Sequence, residues 1–410
     1  MEDKKLVKGL SVTAILLVAA SAVVLTFSSS NGILYGKDAI PFGLPFILAF
    51  AIPLLAVLFI LSHYIKSVDT MEDMIATIAV RYAIFGWFFI FVIKISETLF
   101  LLFAKDFFVE NHSSIALILN SINVCVIGTI VLSLVLRKIP ACKIEKRKMK
   151  AGQLLLLIMM MYGLTQIGTL MGLPVHLALS AFSVDDGSGL GDFGGMLYGS
   201  GVIVRIITVG ILPAIFEELL FRKFLIDRTI RYGEFISCAM SGIMFGLWHG
   251  NFQQFFFAFF VGVLFSFVYI RTGNIIYTMI MHASMNLVTT TVTMQLLAEF
   301  LKKSGMDIET GQFGDIANEA ELIKGILPVL GLLCLWLMIL GSFQIVGFIM
   351  LIVKRKKFKL AAMPGEPGRK EILHKLTHSV YMWIFFAFAI LLFVYSYCPD
   401  ILAFIIYHSR

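Results

Sequence analysis

Charged residues are scarce in this sequence, at 14% of 410 residues, whereas 59% are hydrophobic and the mean hydropathy is +0.92. A soluble domain averages about 25% charged and about 45–50% apolar residues. The chain therefore encodes too little polar surface to cover a soluble core of this size, and lipid must solvate much of it. Because the apolar stretches recur along the whole length, no separate soluble domain is predicted.

Further absences exclude other classes of function. The five cysteines are scattered and form no CxxC pair, so neither a disulfide framework nor a cysteine-based metal site is predicted. Despite a net charge of +7, no basic stripe with interleaved aromatics is present, so nucleic acid is not a predicted partner. No internal repeat is visible, although inverted repeats are common in transporters.

Long apolar runs dominate what is present. Since about 20 apolar residues cross a bilayer as a helix, the sequence predicts an all-α polytopic bundle. The eleven predicted spans are 9–27, 42–64, 82–103, 114–136, 151–171, 197–220, 236–250, 253–270, 274–296, 326–352 and 379–398. The seventh and eighth are short, which is typical of half-helices or of a tilted hairpin.

The loops predict the orientation, because Lys and Arg collect on the cytoplasmic side. Arg137–Lys150 holds seven basic residues and one Glu, Lys354–Lys359 reads KRKKFK, and four more basic residues lie in Arg222–Arg231. Acidic residues gather instead in 185–192 and 307–321. Eleven spans with the N-terminus inside and the C-terminus outside place all of these basic segments on the cytoplasmic side and both acidic segments on the other side.

Three polar clusters interrupt the predicted spans, where a charged side chain costs about 2.5–3.5 kcal/mol on insertion scales. The first reads EELLFR. Glu218 and Arg222 are four residues apart and can pair on one helical face, whereas Glu217 is turned about 100° away and can point elsewhere. The alternative is that all three are interfacial charges at a helix end.

The other two clusters contain histidines. The second reads FGLWH, with Phe245 and His249 on one face; a packed, hydrogen-bonded histidine is the alternative, because neighbouring glycines permit close helix approach. The third places His282 and Asn286 four residues apart on one face of the ninth span. These two can alternatively bridge helices without any catalytic role.

Together the clusters supply two carboxylates, two histidines and an asparagine, which are groups that suit hydrolysis. A carboxylate in an apolar pocket is suited to proton transfer near neutral pH, so Glu217 can take a proton from water. One histidine can orient that water, and the other, with Asn286, can donate hydrogen bonds to a developing oxyanion. The same residue types bind zinc, which leaves metal dependence open.

A metal-free mechanism is favoured by the residues themselves. Glu218 is expected to be engaged by Arg222, whose positive charge beside a dication is unfavourable, and Asn286 is a poor zinc ligand. The alternative zinc ligands are then Glu217, His249 and His282, the fewest that a catalytic site uses. No cofactor is therefore predicted, and zinc remains the alternative.

The motifs EExxxR, FxxxH and HxxxN, in this order on successive helices, resemble the CAAX-protease and bacteriocin-processing family, which includes the type II CAAX prenyl endopeptidases. The resemblance covers roughly residues 200–300. It implies a helical intramembrane endopeptidase acting on a membrane-associated peptide or protein. It also implies a role for each matching residue: Glu217 activates water, His249 is its partner, His282 and Asn286 stabilise the oxyanion, and Glu218 and Arg222 complete the first motif.

On this resemblance the chain divides into N-terminal transmembrane helices (1–196), a CAAX-protease-like catalytic core (197–300) and appended C-terminal transmembrane helices (301–410). Two alternatives remain, a proton- or cation-coupled transporter and a catalytically idle immunity or regulatory scaffold. Compact charged loops and the lack of a targeting extension favour a bacterial plasma membrane. On the predicted spans His249 lies far from Glu217. Either the seventh helix is tilted or short, or it begins later than residue 236, and the later start is favoured.

Overall fold

The computed structural model describes residues 2–30, 47–180, 196–305, 319–362 and 364–408, and every regular element in these ranges is helical. The predicted all-α class is therefore confirmed. The main helices are α1 (Glu2–Ser30), α2 (Ile52–Tyr64), α3 (Met71–Phe103), α4 (Lys105–Glu110), α5 (His112–Leu136), α6 (Ala151–Ser180), α7 (202–229), α8 (Glu234–Trp248), α9 (Phe252–Thr272), α10 (Ile275–Lys303), α11 (Glu319–Lys354), α12 (Arg369–His378) and α13 (Val380–His408).

Long apolar helices make this an integral membrane protein. Within the described ranges six helices are long and apolar enough to cross a bilayer, namely α3, α5, α6, α9, α10 and α11. The pair α12 and α13, bent by 69°, adds a seventh if it counts as one span, and α8 is a shorter apolar helix. The count of eleven spans and the orientation of the N-terminus stay predictions.

The three basic segments meet at one end of the bundle, as one side of a membrane requires, although residues 222–229 of the third lie within α7 and not in a loop. The amide of Cys142 donates to the Asp227 carbonyl near the end of α7, at 2.5 Å. Arg228 donates to the last carbonyl of α5, at 3.1 Å, and Arg271 at the end of α9 donates to the carbonyl of Lys359. The acidic residues expected at the opposite end lie largely outside the described residues: Asp185, Asp186, Asp192, Asp307, Glu309 and Asp315.

Helix α3 is the centre of the core, and its first half is buried almost without interruption. Its Tyr82 hydroxyl donates to the carbonyl of Leu220 in α7. Its Phe85 ring stacks on Trp248 of α8 at 4.6 Å between centroids, and Phe388 of α13 lies 5.7 Å from the same Trp248. The aromatic packing of α3 thus supports the two helices that carry the first two polar motifs.

The terminal helices are packed into the rest of the bundle. Helix α13 packs on α1 and α3, and α11 packs on α6. Helices of the predicted C-terminal unit therefore contact the predicted N-terminal unit directly. Whether the chain divides functionally at residues 196 and 300 stays a prediction.

The α6–α11 contact gives a test of this packing. A Cβ on Gly163 of α6 would lie 2.5 Å from the amide nitrogen of Phe348, whereas nothing lies within 4 Å of one on Gly152 in the same helix. Gly163→Ala should destabilise the protein by about 1–3 kcal/mol through overpacking, while Gly152→Ala should leave stability nearly unchanged. Thermal unfolding of both variants in one detergent measures the difference, and equal midpoints would contradict the packing.

Candidate active site

Helix α7 carries both carboxylates of the first motif, and its winding is irregular on either side of them. The π-helical stretches Ile206–Ile211 and Leu219–Phe224 flank the α-helical Leu212–Glu218, which contains Pro213. Proline cannot donate a backbone hydrogen bond, and π-bulges are frequent at functional sites. The predicted span ended at residue 220, but α7 continues to residue 229, so Glu217 lies within the helix instead of at its cytoplasmic end.

The length of α7 also explains the depth of His249. From Glu217 the helix runs about 18 Å to its end, and the 15-residue α8 runs back about 22 Å from Glu234. His249, which caps α8 at its C-terminal end, therefore returns to about the depth of Glu217. The favoured later start of this helix, after residue 236, is wrong, because α8 begins at Glu234. The extension of α7 to residue 229, together with the short α8, removes the discrepancy.

Glu218 and Arg222 form the buried ion pair that their spacing predicted. Glu218 Oε1 lies 3.2 Å from Arg222 Nη1, and both side chains are fully buried. The guanidinium also lies over the Phe245 ring at 4.4 Å from its centroid and donates to the Gly262 carbonyl at 3.3 Å. A Cβ on Gly262 would lie 3.0 Å from the Phe245 ring, so a glycine leaves room for this arrangement. The pair therefore ties α7 to α8 and α9.

His282 lies between the two carboxylates. Its Nδ1 is 3.0 Å from Glu218 Oε1, and its Nε2 is 3.8 Å from Glu217 Oε2. Since Glu218 accepts a hydrogen bond as a carboxylate, Nδ1 carries a hydrogen. A separation of 3.8 Å is too long for a direct hydrogen bond, so Nε2 and Glu217 each keep capacity for a further polar partner. Glu217 is thus turned away from Arg222 as predicted, but its neighbour is His282.

The charges of this cluster balance only if it holds one extra proton. With Glu217 and Glu218 ionised and Arg222 positive, one net negative charge stays buried. An uncompensated charge in an apolar interior is costly. One proton, on His282 or on Glu217, makes the cluster neutral.

His249 makes a hydrogen bond within its own helix. Its Nδ1 lies 2.9 Å from the carbonyl of Phe245, and because a carbonyl only accepts, Nδ1 is the donor. In the neutral ring Nε2 is consequently an acceptor. Both His249 and His282 lie edge-on to the Phe245 ring, at 5.0 and 5.9 Å between centroids. Phe245 was predicted only as a residue on the His249 face; its position between the histidines was not.

Asn286 faces α7, as does His282 one turn earlier, so the prediction of a shared face is confirmed. The Asn286 amide donates to the Val209 carbonyl at 2.9 Å. Val209 lies in the first π-helical stretch of α7. Asn286 therefore bridges two helices. Its second amide hydrogen is the one that could donate to an oxyanion.

The alternative zinc set is not assembled in this arrangement. Among the described residues no group of three or more His, Cys, Asp or Glu side chains is placed to hold a metal ion. Glu217, His249 and His282, the predicted alternative ligands, form no such group, and the metal-free mechanism stays a prediction.

Residues 199–288 match the family model described as Type II CAAX prenyl endopeptidase Rce1-like. We call this segment the Rce1-like domain because of that similarity. It contains Glu217, Glu218, Arg222, His249, His282 and Asn286. The family resemblance inferred from the three motifs is confirmed, and the Rce1-like domain indicates a family of membrane proteases. No curated protein and no solved structure matches the chain.

The two adjacent glutamates of the Rce1-like domain should differ in their effect on stability. Glu218→Gln leaves the buried Arg222 guanidinium without its carboxylate, and breaking a buried pair in this way costs about 3–5 kcal/mol. Glu217→Gln removes a carboxylate that is 3.8 Å from its nearest partner and should change stability little. Thermal unfolding in detergent compares the two.

A second variant shows that the ion pair is the cause. In Glu218→Gln/Arg222→Met the unpaired charge is gone, so part of the lost stability should return. A Glu218→Gln protein that unfolds at the wild-type temperature would contradict the buried pair.

Proposed function

We propose that this protein is an intramembrane endopeptidase in which Glu217 activates a water molecule to hydrolyse a peptide bond. The observation that carries the proposal is the position of His282, held by Glu218 at 3.0 Å and facing Glu217 at 3.8 Å. It supports one proton being shared between His282 and Glu217 beside a fixed, buried ion pair. The transporter and idle-scaffold alternatives are favoured by none of these contacts.

The competent state has this proton on His282 and leaves Glu217 as a carboxylate. A water beside Glu217 gives it a proton as the water oxygen attacks the peptide carbonyl carbon. The acceptor Nε2 of His249 helps to orient that water. The oxyanion that forms accepts hydrogen bonds from His282 Nε2–H and from the second amide hydrogen of Asn286. Glu217 then passes its proton to the leaving amine as the C–N bond breaks.

Glu218 and Arg222 position these groups without touching the substrate in this scheme. Glu218 fixes the ring of His282 by accepting from Nδ1, so that Nε2 stays directed at Glu217. Arg222 balances the charge of Glu218 and is itself fixed by Phe245 and the Gly262 carbonyl. No zinc or other cofactor is required by this scheme.

The substrate is a membrane-associated peptide or protein. Type II CAAX prenyl endopeptidases act on prenylated proteins at the bilayer, and a prenylated peptide is thus one candidate for this chain. The depth of Glu217 within α7 supports a lipid-anchored chain, because a freely soluble peptide would have to leave water to reach it. We place the protein in a bacterial plasma membrane.

We further propose eleven spans with the N-terminus inside. The basic segment at Lys143 then faces the cytoplasm, and Ser188, which lies outside the described residues, faces the exterior. In a cysteine-free background Ser188→Cys should react with an impermeant thiol reagent on intact cells, and Lys143→Cys only after permeabilisation. The reverse pattern would overturn the orientation.

Loss of the Glu217 carboxylate should stop the reaction while leaving the fold intact. General acid–base groups contribute about 10²–10⁴-fold to rate, so Glu217→Gln should lower turnover by that factor. Cleavage of membrane-anchored peptides by protein reconstituted in liposomes measures it. Glu299→Gln, an exposed carboxylate of α10, is the control and should match wild type. Wild-type turnover by Glu217→Gln would refute the assignment.

Removing metal ions should leave the activity in place. Glu218, the carboxylate nearest Glu217, is already paired with Arg222, and a guanidinium beside a dication is unfavourable. The reconstituted protein is treated exhaustively with chelator, assayed for cleavage and analysed for its metal content. Stoichiometric zinc, with activity lost on chelation and restored by zinc alone, would instead make Glu217, His249 and His282 ligands.

A further inference from the structure

Two basic segments, 143–150 and 354–361, lie against the ends of the helices that form the Rce1-like domain; together they are called the basic platform below. The first contains five Lys or Arg residues and one Glu, and the second five basic residues and no acid. Most of these basic side chains are exposed. Among the described residues Arg147 pairs with Glu145, and no carboxylate forms an ion pair with the others.

The first segment is held in place through its backbone. The Arg147 amide donates to the Thr272 carbonyl at 2.7 Å, and the Met149 amide donates to the Tyr277 hydroxyl at 2.9 Å. Gly273 ends α9 with a φ of +56°, and a Cβ there would lie 2.3 Å from the Glu145 carbonyl oxygen. Only glycine therefore suits both the left-handed conformation and the close approach of this segment.

The second segment is fixed by a carboxylate and by apolar contacts. Glu234 accepts two hydrogen bonds from Arg271, at 2.6 and 2.8 Å, and one from the Ala361 amide, at 2.6 Å. Ile144 and Leu360, one from each segment, pack against the same small apolar cluster at the ends of α7, α8 and α9. The backbone of the platform is thus held in one conformation by hydrogen bonds and apolar contacts. Basic residues that only determine membrane topology do not need such a fixed backbone.

We propose that the basic platform binds the headgroups of anionic phospholipids in the bilayer that surrounds the protein. Lys150 directly precedes α6 and Lys354 is the last residue of α11, so the platform begins where two apolar helices end. Headgroups lie in this layer, within reach of exposed Lys and Arg side chains. The surplus of positive charge fits headgroups with a net negative charge better than zwitterionic headgroups, in which an ammonium group balances the phosphate.

The test compares two double variants, each of which replaces two neighbouring lysines. Lys356→Gln/Lys357→Gln removes two platform charges, and Lys302→Gln/Lys303→Gln removes two exposed charges at the other end of α10, about 40 Å from its start. The full chain is reconstituted in nanodiscs containing phosphatidylglycerol and phosphatidylcholine. Native mass spectrometry of the released protein then counts the lipids of each kind that stay bound.

Wild type and the Lys302/Lys303 variant should retain phosphatidylglycerol in preference to phosphatidylcholine, and the platform variant should lose most of this preference. Raised salt should weaken it, because exposed charges are screened. Equal retention of both lipids by wild type, or equal losses in the two variants, would overturn the proposal. The proposal would also be overturned if the wild type bound an Asp- and Glu-rich peptide in phosphatidylcholine nanodiscs but showed no preference between the two lipids. The platform would then be a site for an acidic peptide.

Discussion

The rest of the site depends on the buried ion pair between Glu218 and Arg222. Both side chains are fully buried, so neither can be left without the other. Their pairing requires the Phe245 ring of α8 and the Gly262 carbonyl of α9 to meet the guanidinium. Through Glu218 the same pair also fixes His282 on α10. Four helices are thereby held together at one point. Because Glu217 directly precedes Glu218 on the same helix, its position beside His282 is fixed as well.

The surrounding packing makes this arrangement attainable in a bilayer. A Cβ on Gly242 of α8 would lie 2.5 Å from a methyl group of Val263 in α9, so small residues allow these helices to approach closely. The aromatic face of α3 packs against α7 and α8 from the other side. A carbonyl in the first π-helical stretch of α7, that of Val209, accepts a hydrogen bond from Asn286. The candidate site thus contains local irregularities that a regular apolar bundle would not have.

Local spacing predicted the parts of the site that lie on one helix. The Glu218–Arg222 pair and the shared face of His282 and Asn286 follow from the four-residue period of a helix. The contact between Glu218 and His282 joins residues 64 positions apart, and no pattern within one helix reveals it. The sequence also missed the extension of α7 to residue 229, because the charges from Arg222 onward end the apolar run. It predicted a hydrogen-bonded His249 only as an alternative, and the acceptor is the Phe245 carbonyl.

The central claim is that Glu217 and His282 act as one proton-sharing unit in hydrolysis, and a double-mutant cycle on turnover tests it most directly. Glu217→Asp, His282→Gln and their combination keep polar groups at both positions, so residual cleavage in liposomes can be measured. Residues that act as a unit show non-additive losses. The account predicts that the double variant is about as slow as the slower single variant. Losses that multiply independently would contradict it.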